Sequence, residues 1–108
     1  MTKIKKGNWI VLYYSDFCGY CSEFMPIWEL FVKKKFKNLK KLKVDVNSGM
    51  VLNSEIDGVP TIHFYKNGKL TPMGIFNEER TLDKLSKFCI QNLKFKIKKT
   101  KKRTKIRK

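Results

Sequence analysis

The sequence predicts an α/β domain. It reads as a four-stranded mixed sheet with helices on both faces, in the order β-α-β-(α)-β-β-α, followed by a basic, disordered tail. Three observations predict this. The apolar run NWIVLYY leads into residues with helical spacing, and an alternating segment follows to complete a βαβ unit. An Asn-Gly turn then joins two strand-like runs ahead of a last amphipathic helix. A βαβ crossover makes its two strands parallel, and a hairpin adds antiparallel ones.

Each element has its own local reason. NWIVLYY is continuously apolar, β-branched and aromatic, as a strand buried on both faces requires. From Cys18 onward, Phe24, Ile27, Trp28, Phe31 and Val32 form a helical stripe. Asp16 or Ser15 is expected to cap that helix, with Cys18 at or near its first turn. Pro26 lies inside it and is expected to kink it. KKKFKNLKK ends the helix as an exposed basic stretch. KLKVDVN alternates Leu42, Val44 and Val46, the pattern of a second strand. SGMVLNSEI reads as a loop with a short helix. GVPTIHFYKNGKL reads as strand, Asn67-Gly68 turn, strand. In TLDKLSKFCIQNL, Thr81 is the cap, and Leu82, Leu85, Phe88, Cys89 and Leu93 share one face. There are no internal repeats.

A length of 108 residues allows one domain, and 42% apolar residues suffice for one small core. A domain of this size buries roughly 60–65% of its unfolded surface, so it needs no metal or disulfide staple. The net charge of +16 is unevenly placed. Residues 1–93 hold fifteen Lys/Arg against nine Asp/Glu, whereas residues 94–108, KFKIKKTKKRTKIRK, hold ten basic residues and no acid. We therefore divide the chain into a domain, 1–93, and a basic tail, 94–108, too charged to fold alone. Trp9–Tyr14 is too short for a signal-peptide core, and no run approaches the roughly 18 apolar residues of a membrane span. With an odd cysteine count besides, a soluble cytoplasmic monomer is expected, with nuclear or virion association open through the tail.

Cys18 and Cys21 flank Gly19-Tyr20, and three chemistries fit such a pair. A closed zinc site needs four ligands, and only Cys89 and His63 remain as soft candidates. A structural disulfide here would close a very small loop and constrain little of the unfolded chain. A redox pair draws on position instead. A thiol at a helix N-terminus meets unpaired N–H groups and the positive end of the dipole, which favour the reactive thiolate. Cys18 is then the nucleophile, and Cys21, one turn behind, resolves the mixed disulfide. Cys89 sits on the apolar helix face and reads as a buried small hydrophobe, and His63 reads as structural.

The ordered motifs from Trp9 to Leu93 resemble the thioredoxin superfamily in its short, glutaredoxin-sized form. WIVLYYSDFCGYC is similar to the active-site strand and motif, and Pro26 to the helix-kinking proline. LKVDVN is similar to the central strand, and ERTLDKLSKFCIQNL to the last helix of disulfide isomerase domains. The resemblance implies a cis peptide bond before Pro60, with Val59 offering backbone groups to an extended peptide, and a substrate surface of Phe17, Val59 and Pro60. It implies an enzyme without a cofactor that exchanges disulfides with protein dithiols and disulfides. Two departures stand out. Phe17 replaces the usual tryptophan, and Leu12 stands where the family carries a buried carboxylate. Lys41 matches a lysine near that acid but also reads as part of a basic strand edge. Tyr20 reads equally as a cover for the sulfurs and as a solvent-facing aromatic. Two alternatives are a glutathione-dependent, glutaredoxin-like reductase and a nucleic-acid-binding module on the same scaffold. The tail is expected to contact a polyanion, either nucleic acid or an acidic protein.

Overall fold

A computed structural model of the chain describes residues 4–48 and 56–95. In chain order the elements are β1 (Asn8–Tyr14), α1 (Gly19–Lys33), β2 (Leu39–Asp45), a 3-10 turn (Val46–Ser48), β3 (Thr61–Lys66), β4 (Lys69–Ile75) and α2 (Leu82–Lys94). They form one four-stranded sheet in the order β2-β1-β3-β4. β1 runs parallel to β2 and antiparallel to β3, and β3 runs antiparallel to β4, as the sequence predicts.

β1 has no polar face because it is buried on both sides. Ile10 and Leu12 point into one core, together with Ile62 and Phe64 of β3, Phe24, Trp28 and Phe31 of α1, and Leu85, Phe88 and Cys89 of α2. Trp9, Val11 and Tyr13 point into a second core, with Ile4, Val44 and Tyr65. Both α-helices therefore lie on one face of the sheet. On the other face, the helical cover among the described residues is the single 3-10 turn, and Val46, Ile56 and Val59 each pack against the second core. The short helix expected in SGMVLNSEI falls mostly on residues 49–55, outside the described residues.

Three local expectations are corrected. The N-cap of α1 is Cys18 itself, not Asp16 or Ser15. Val46 belongs to the 3-10 turn, because β2 starts at Leu39 and stops at Asp45. The last helix runs one residue past Leu93 to Lys94, with Phe95 as its C-cap. Thr81 caps α2 as expected, its hydroxyl accepting from the Lys84 N–H at 3.1 Å. The hairpin turn has φ 53° at Asn67 and 85° at Gly68, the paired positive values of a type I′ turn. No described helix is long and apolar enough to cross a membrane.

Candidate active site at the N-terminus of α1

β1 delivers the chain to the end of the sheet where the pair of cysteines sits. Ser15 shapes the exit, its hydroxyl accepting from the Phe17 N–H at 3.1 Å and from Asn47 Nδ2 at 2.8 Å. The Cys18 N–H donates to the Ser15 carbonyl at 3.2 Å and closes the turn. With Cys18 as N-cap, its sulfur accepts from the Cys21 backbone N–H at 3.2 Å. A sulfur thus takes the place usually held by a Ser or Asp oxygen, and it satisfies one of the free N–H groups at the helix start.

The two thiols sit in opposite environments. Cys18 lies at the surface, and its pKa is held below the ordinary thiol value. The first cause is the hydrogen bond from the Cys21 side chain, with the Cys21 and Tyr20 N–H groups and the Arg80 guanidinium adding to it. Cys21 is only 2% exposed. Burial pushes its thiol up to about 11, and the bond to Cys18 adds to that. The site therefore holds one thiol that ionises readily and one that keeps its proton.

The second wall of the site comes from the segment that leads into β3. The Val59–Pro60 peptide bond is cis. The Val59 carbonyl faces the active sulfur, with Cys18 Sγ 3.5 Å from it. Phe17 is 90% exposed and Tyr20 67% exposed, so Tyr20 is a solvent-facing aromatic rather than a lid over the sulfurs. Tyr20 lines a groove of about 340 Å³ with Glu23, Phe24, Ile27 and the loop Glu78–Arg80.

Other candidates are placed elsewhere. His63 is buried beneath the sheet, its Nδ1 3.1 Å from the Tyr65 hydroxyl, which lies 2.6 Å from the Tyr13 hydroxyl. Cys89 is fully buried, and burial pushes its thiol up to about 12. Lys41 donates to the Lys34 carbonyl at 2.7 Å, closing the C-terminal end of α1, and its ammonium lies over the Phe31 and Phe36 rings. Leu12 is fully buried in the first core. Arg80 is the site residue that sequence reasoning missed. It lies in the β4–α2 loop, 62 positions from Cys18, and nothing in its neighbours' spacing marks it.

A strand that ends on a Cys-x-x-Cys helix start, facing a cis-proline loop across the sheet end, defines the thioredoxin-type dithiol fold. Residues 1–91 match the family model described as Thioredoxin, and the chain belongs to that family. Among curated relatives it is 33% identical to mouse (Mus musculus) protein disulfide-isomerase A4 over 89 residues, 77% of this chain and 14% of that protein. It is 30% identical to rabbit (Oryctolagus cuniculus) protein disulfide-isomerase over 86 residues, 78% of this chain and 17% of that protein. The chain thus spans less than a fifth of either relative's length. The first two thioredoxin domains of Saccharomyces cerevisiae Eps1p superpose with a TM-score of 0.72 at 21% identity, covering 84% of this chain and 37% of that one.

Proposed function

We propose that this protein is a thiol–disulfide oxidoreductase acting on protein substrates through Cys18 and Cys21. The observation that carries the reading is the asymmetry of the pair, an accessible capping sulfur with a lowered pKa beside a buried thiol raised to about 11. Membership of a family whose relatives include disulfide isomerases supports it.

In the reducing direction, the Cys18 thiolate attacks one sulfur of a substrate disulfide. A Cys18–substrate bond forms, the substrate S–S bond breaks, and one substrate thiolate departs. That thiolate takes the Cys21 proton, which offsets the high pKa of the buried thiol where the family's carboxylate is replaced by Leu12. The Cys21 thiolate then attacks Cys18 Sγ, releasing the second substrate thiolate and leaving a Cys18–Cys21 disulfide. An external dithiol returns it to the reduced state, and the oxidising direction is the same sequence reversed. Phe17, the Val59 carbonyl and Pro60 form the surface against which an extended substrate lies, with Gly19 and Tyr20 as the intervening dipeptide.

The basic residues of 94–108 act as an electrostatic tether to a polyanion, separate from the dithiol chemistry. The odd cysteine number, unlike the even set of a secreted disulfide framework, and the lysine-rich charge support a place in the cytoplasm or nucleus.

Insulin-type disulfide reduction with Cys18→Ser and Cys21→Ser tests the mechanism. Cys18→Ser abolishes turnover, and Cys21→Ser accumulates mixed disulfides on Cys18 that gel shift and mass spectrometry detect. Full turnover by Cys21→Ser without glutathione would overturn the dithiol mechanism. Equilibration of the pair with glutathione then sets the direction, on a scale where about −270 mV marks thioredoxin-like reduction and about −180 mV disulfide isomerase behaviour.

A further inference from the structure

Strand direction divides the molecule's charge. β1 and β2 both run toward the end that carries Cys18, and β3 starts there. The opposite, basal end is built from the segment before β1, the α1–β2 connection and the β3–β4 turn, with the C-terminal end of α2 beside them. These three segments are bonded together. The Gly7 N–H donates to Asn67 Oδ1 at 2.9 Å, the Asn67 N–H to the Gly7 carbonyl at 2.8 Å, and Asn8 Nδ2 to the Asn38 carbonyl at 3.0 Å. They therefore form one continuous face. Lys5 and Lys6 lie in the first segment, five lysines between Lys33 and Lys40 in the second, and Lys66 and Lys69 flank the third. That is nine lysines, with no Asp or Glu in residues 4–8, 33–40 or 66–69. All nine but Lys66 are exposed. Among the described residues, the ion pairs Lys84–Glu78 and Lys87–Asp83 both lie on or beside α2 and involve none of the nine.

Of the eight acids among the described residues, Glu23 and Glu29 lie on α1, Glu29 one turn before Lys33, and the other six collect at the other end. Asp16, Asp45 and Asp57 sit at the sheet end that carries Cys18, and Glu78, Glu79 and Asp83 surround the start of α2. A seven-residue strand separates the two ends, which is about 20 Å at roughly 3.3 Å per residue. The Debye length is about 8 Å at physiological ionic strength, so each end acts on its own partner.

We propose that this basal lysine face is a nucleic-acid binding surface of the folded domain, distinct from the tail, which seats the domain on a phosphate backbone with the dithiol facing outward. The chemistry of the face selects this partner. It carries charge without anchors, since none of the large exposed apolar side chains (Phe17, Tyr20, Leu30, Met73, Ile75 and Ile90 among them) lies in its three segments. A bilayer surface takes up apolar side chains beside the basic ones, and a protein interface is centred on buried aromatic or aliphatic residues and is poor in lysine. Scattered ammonium point charges without a pocket suit phosphate oxygens, which are contacted without regard to sequence.

The test uses the full chain with Lys5, Lys6, Lys35, Lys37 and Lys69 changed to Gln. Lys34 and Lys40 are kept, because Lys34 bonds Ser86 Oγ at 2.9 Å and Lys40 lies over the Trp9 ring. Affinity for unrelated DNA duplexes is read against salt. The slope of log affinity against log salt becomes shallower by about 0.9 for each lysine that contacts phosphate, up to about 4.5 for all five. The matching Lys→Arg set keeps the slope, and disulfide reduction is unchanged in both. Acetylation footprinting of the unmodified protein gives a readout independent of any variant: a duplex protects Lys5, Lys35, Lys37 and Lys69 while Lys84 and Lys87 stay reactive. An unchanged slope, or protection confined to residues 94–108, would refute a basal contribution. A larger loss on phosphatidylserine vesicles or polyglutamate than on duplex would reassign the face to a lipid or protein partner.

Discussion

At the scale of single residues, the chemistry depends on how differently three thiols are held. Cys18 is a partly exposed cap, Cys21 is buried one turn behind it, and Cys89 is buried on the inner face of α2, apart from the pair. Arg80 lowers the pKa of both active-site thiols by its charge. Arg80→Gln therefore raises the pH at which Cys18 ionises, seen as a shift in thiolate ultraviolet absorbance, and slows disulfide reduction near neutral pH. An unshifted titration would show that the guanidinium is screened from the sulfurs. Cys89 supplies a stability test. Its folded pKa of about 12 exceeds the unfolded thiol value of about 8.5, so the unfolded chain loses its proton first. Its contribution is intact below pH about 8.5 and declines as pH rises toward 12. By pH 10 the loss approaches about 2 kcal/mol at 1.36 kcal/mol per unit. Urea unfolding of Cys89→Ala at about pH 7 and pH 10 should show a correspondingly smaller alkaline drop than the parent, with redox activity unchanged.

At the scale of elements, α2 is held to the sheet edge by a polar side chain as well as by its apolar stripe. Asn92 is fully buried. Its Oδ1 accepts from the Thr71 hydroxyl, and its Nδ2 donates to the Met73 carbonyl at 3.2 Å and the Phe88 carbonyl at 2.9 Å. Asn92→Ala strands several of these groups, and a loss of about 2–3 kcal/mol in urea unfolding is expected. Gly74 supports the same edge. A Cβ there would lie 2.6 Å from the Phe64 carbonyl and 2.6 Å from Thr71 Oγ1. The Phe64 contact is with strand backbone rather than the end of a flexible side chain, so Gly74→Ala should cost about 1–3 kcal/mol by overpacking. A midpoint within error of the parent for either variant would show that β4 yields more readily than its contacts imply.

At the scale of the whole molecule, the body carries both cores, and α2 closes at Phe95. Removing residues 96–108 takes away nine basic groups. The truncated protein is expected to keep its melting temperature and its insulin-reducing activity while binding duplex DNA less tightly. If five of the tail's basic groups contact phosphates, they contribute about −4.5 to the salt slope. The basal face proposed above predicts that a measurable slope remains after truncation. Loss of redox activity on truncation would show that the tail is part of the site rather than a tether.

The order of the elements, both senses of strand pairing, the Asn67-Gly68 turn and the Thr81 cap were all legible in the sequence, because each depends on local spacing or on backbone geometry specific to one residue type. Cys18 and Cys21 were legible for the same reason: two residues of separation at a strand-to-helix junction place both thiols on one helix end. The missed features depend on contacts between distant segments. Asn92 looks like an ordinary polar helix residue until β4 packs beside it. Arg80 lies in a loop whose approach to Cys18 follows from the β3–β4 hairpin returning to the active-site end. Both α-helices share one sheet face because their apolar stripes meet each other as well as the sheet, and no helix spacing reports that. The division of charge into a basal lysine face and an acidic active-site end is likewise a product of strand direction, which gathers lysines from three separated segments onto one surface.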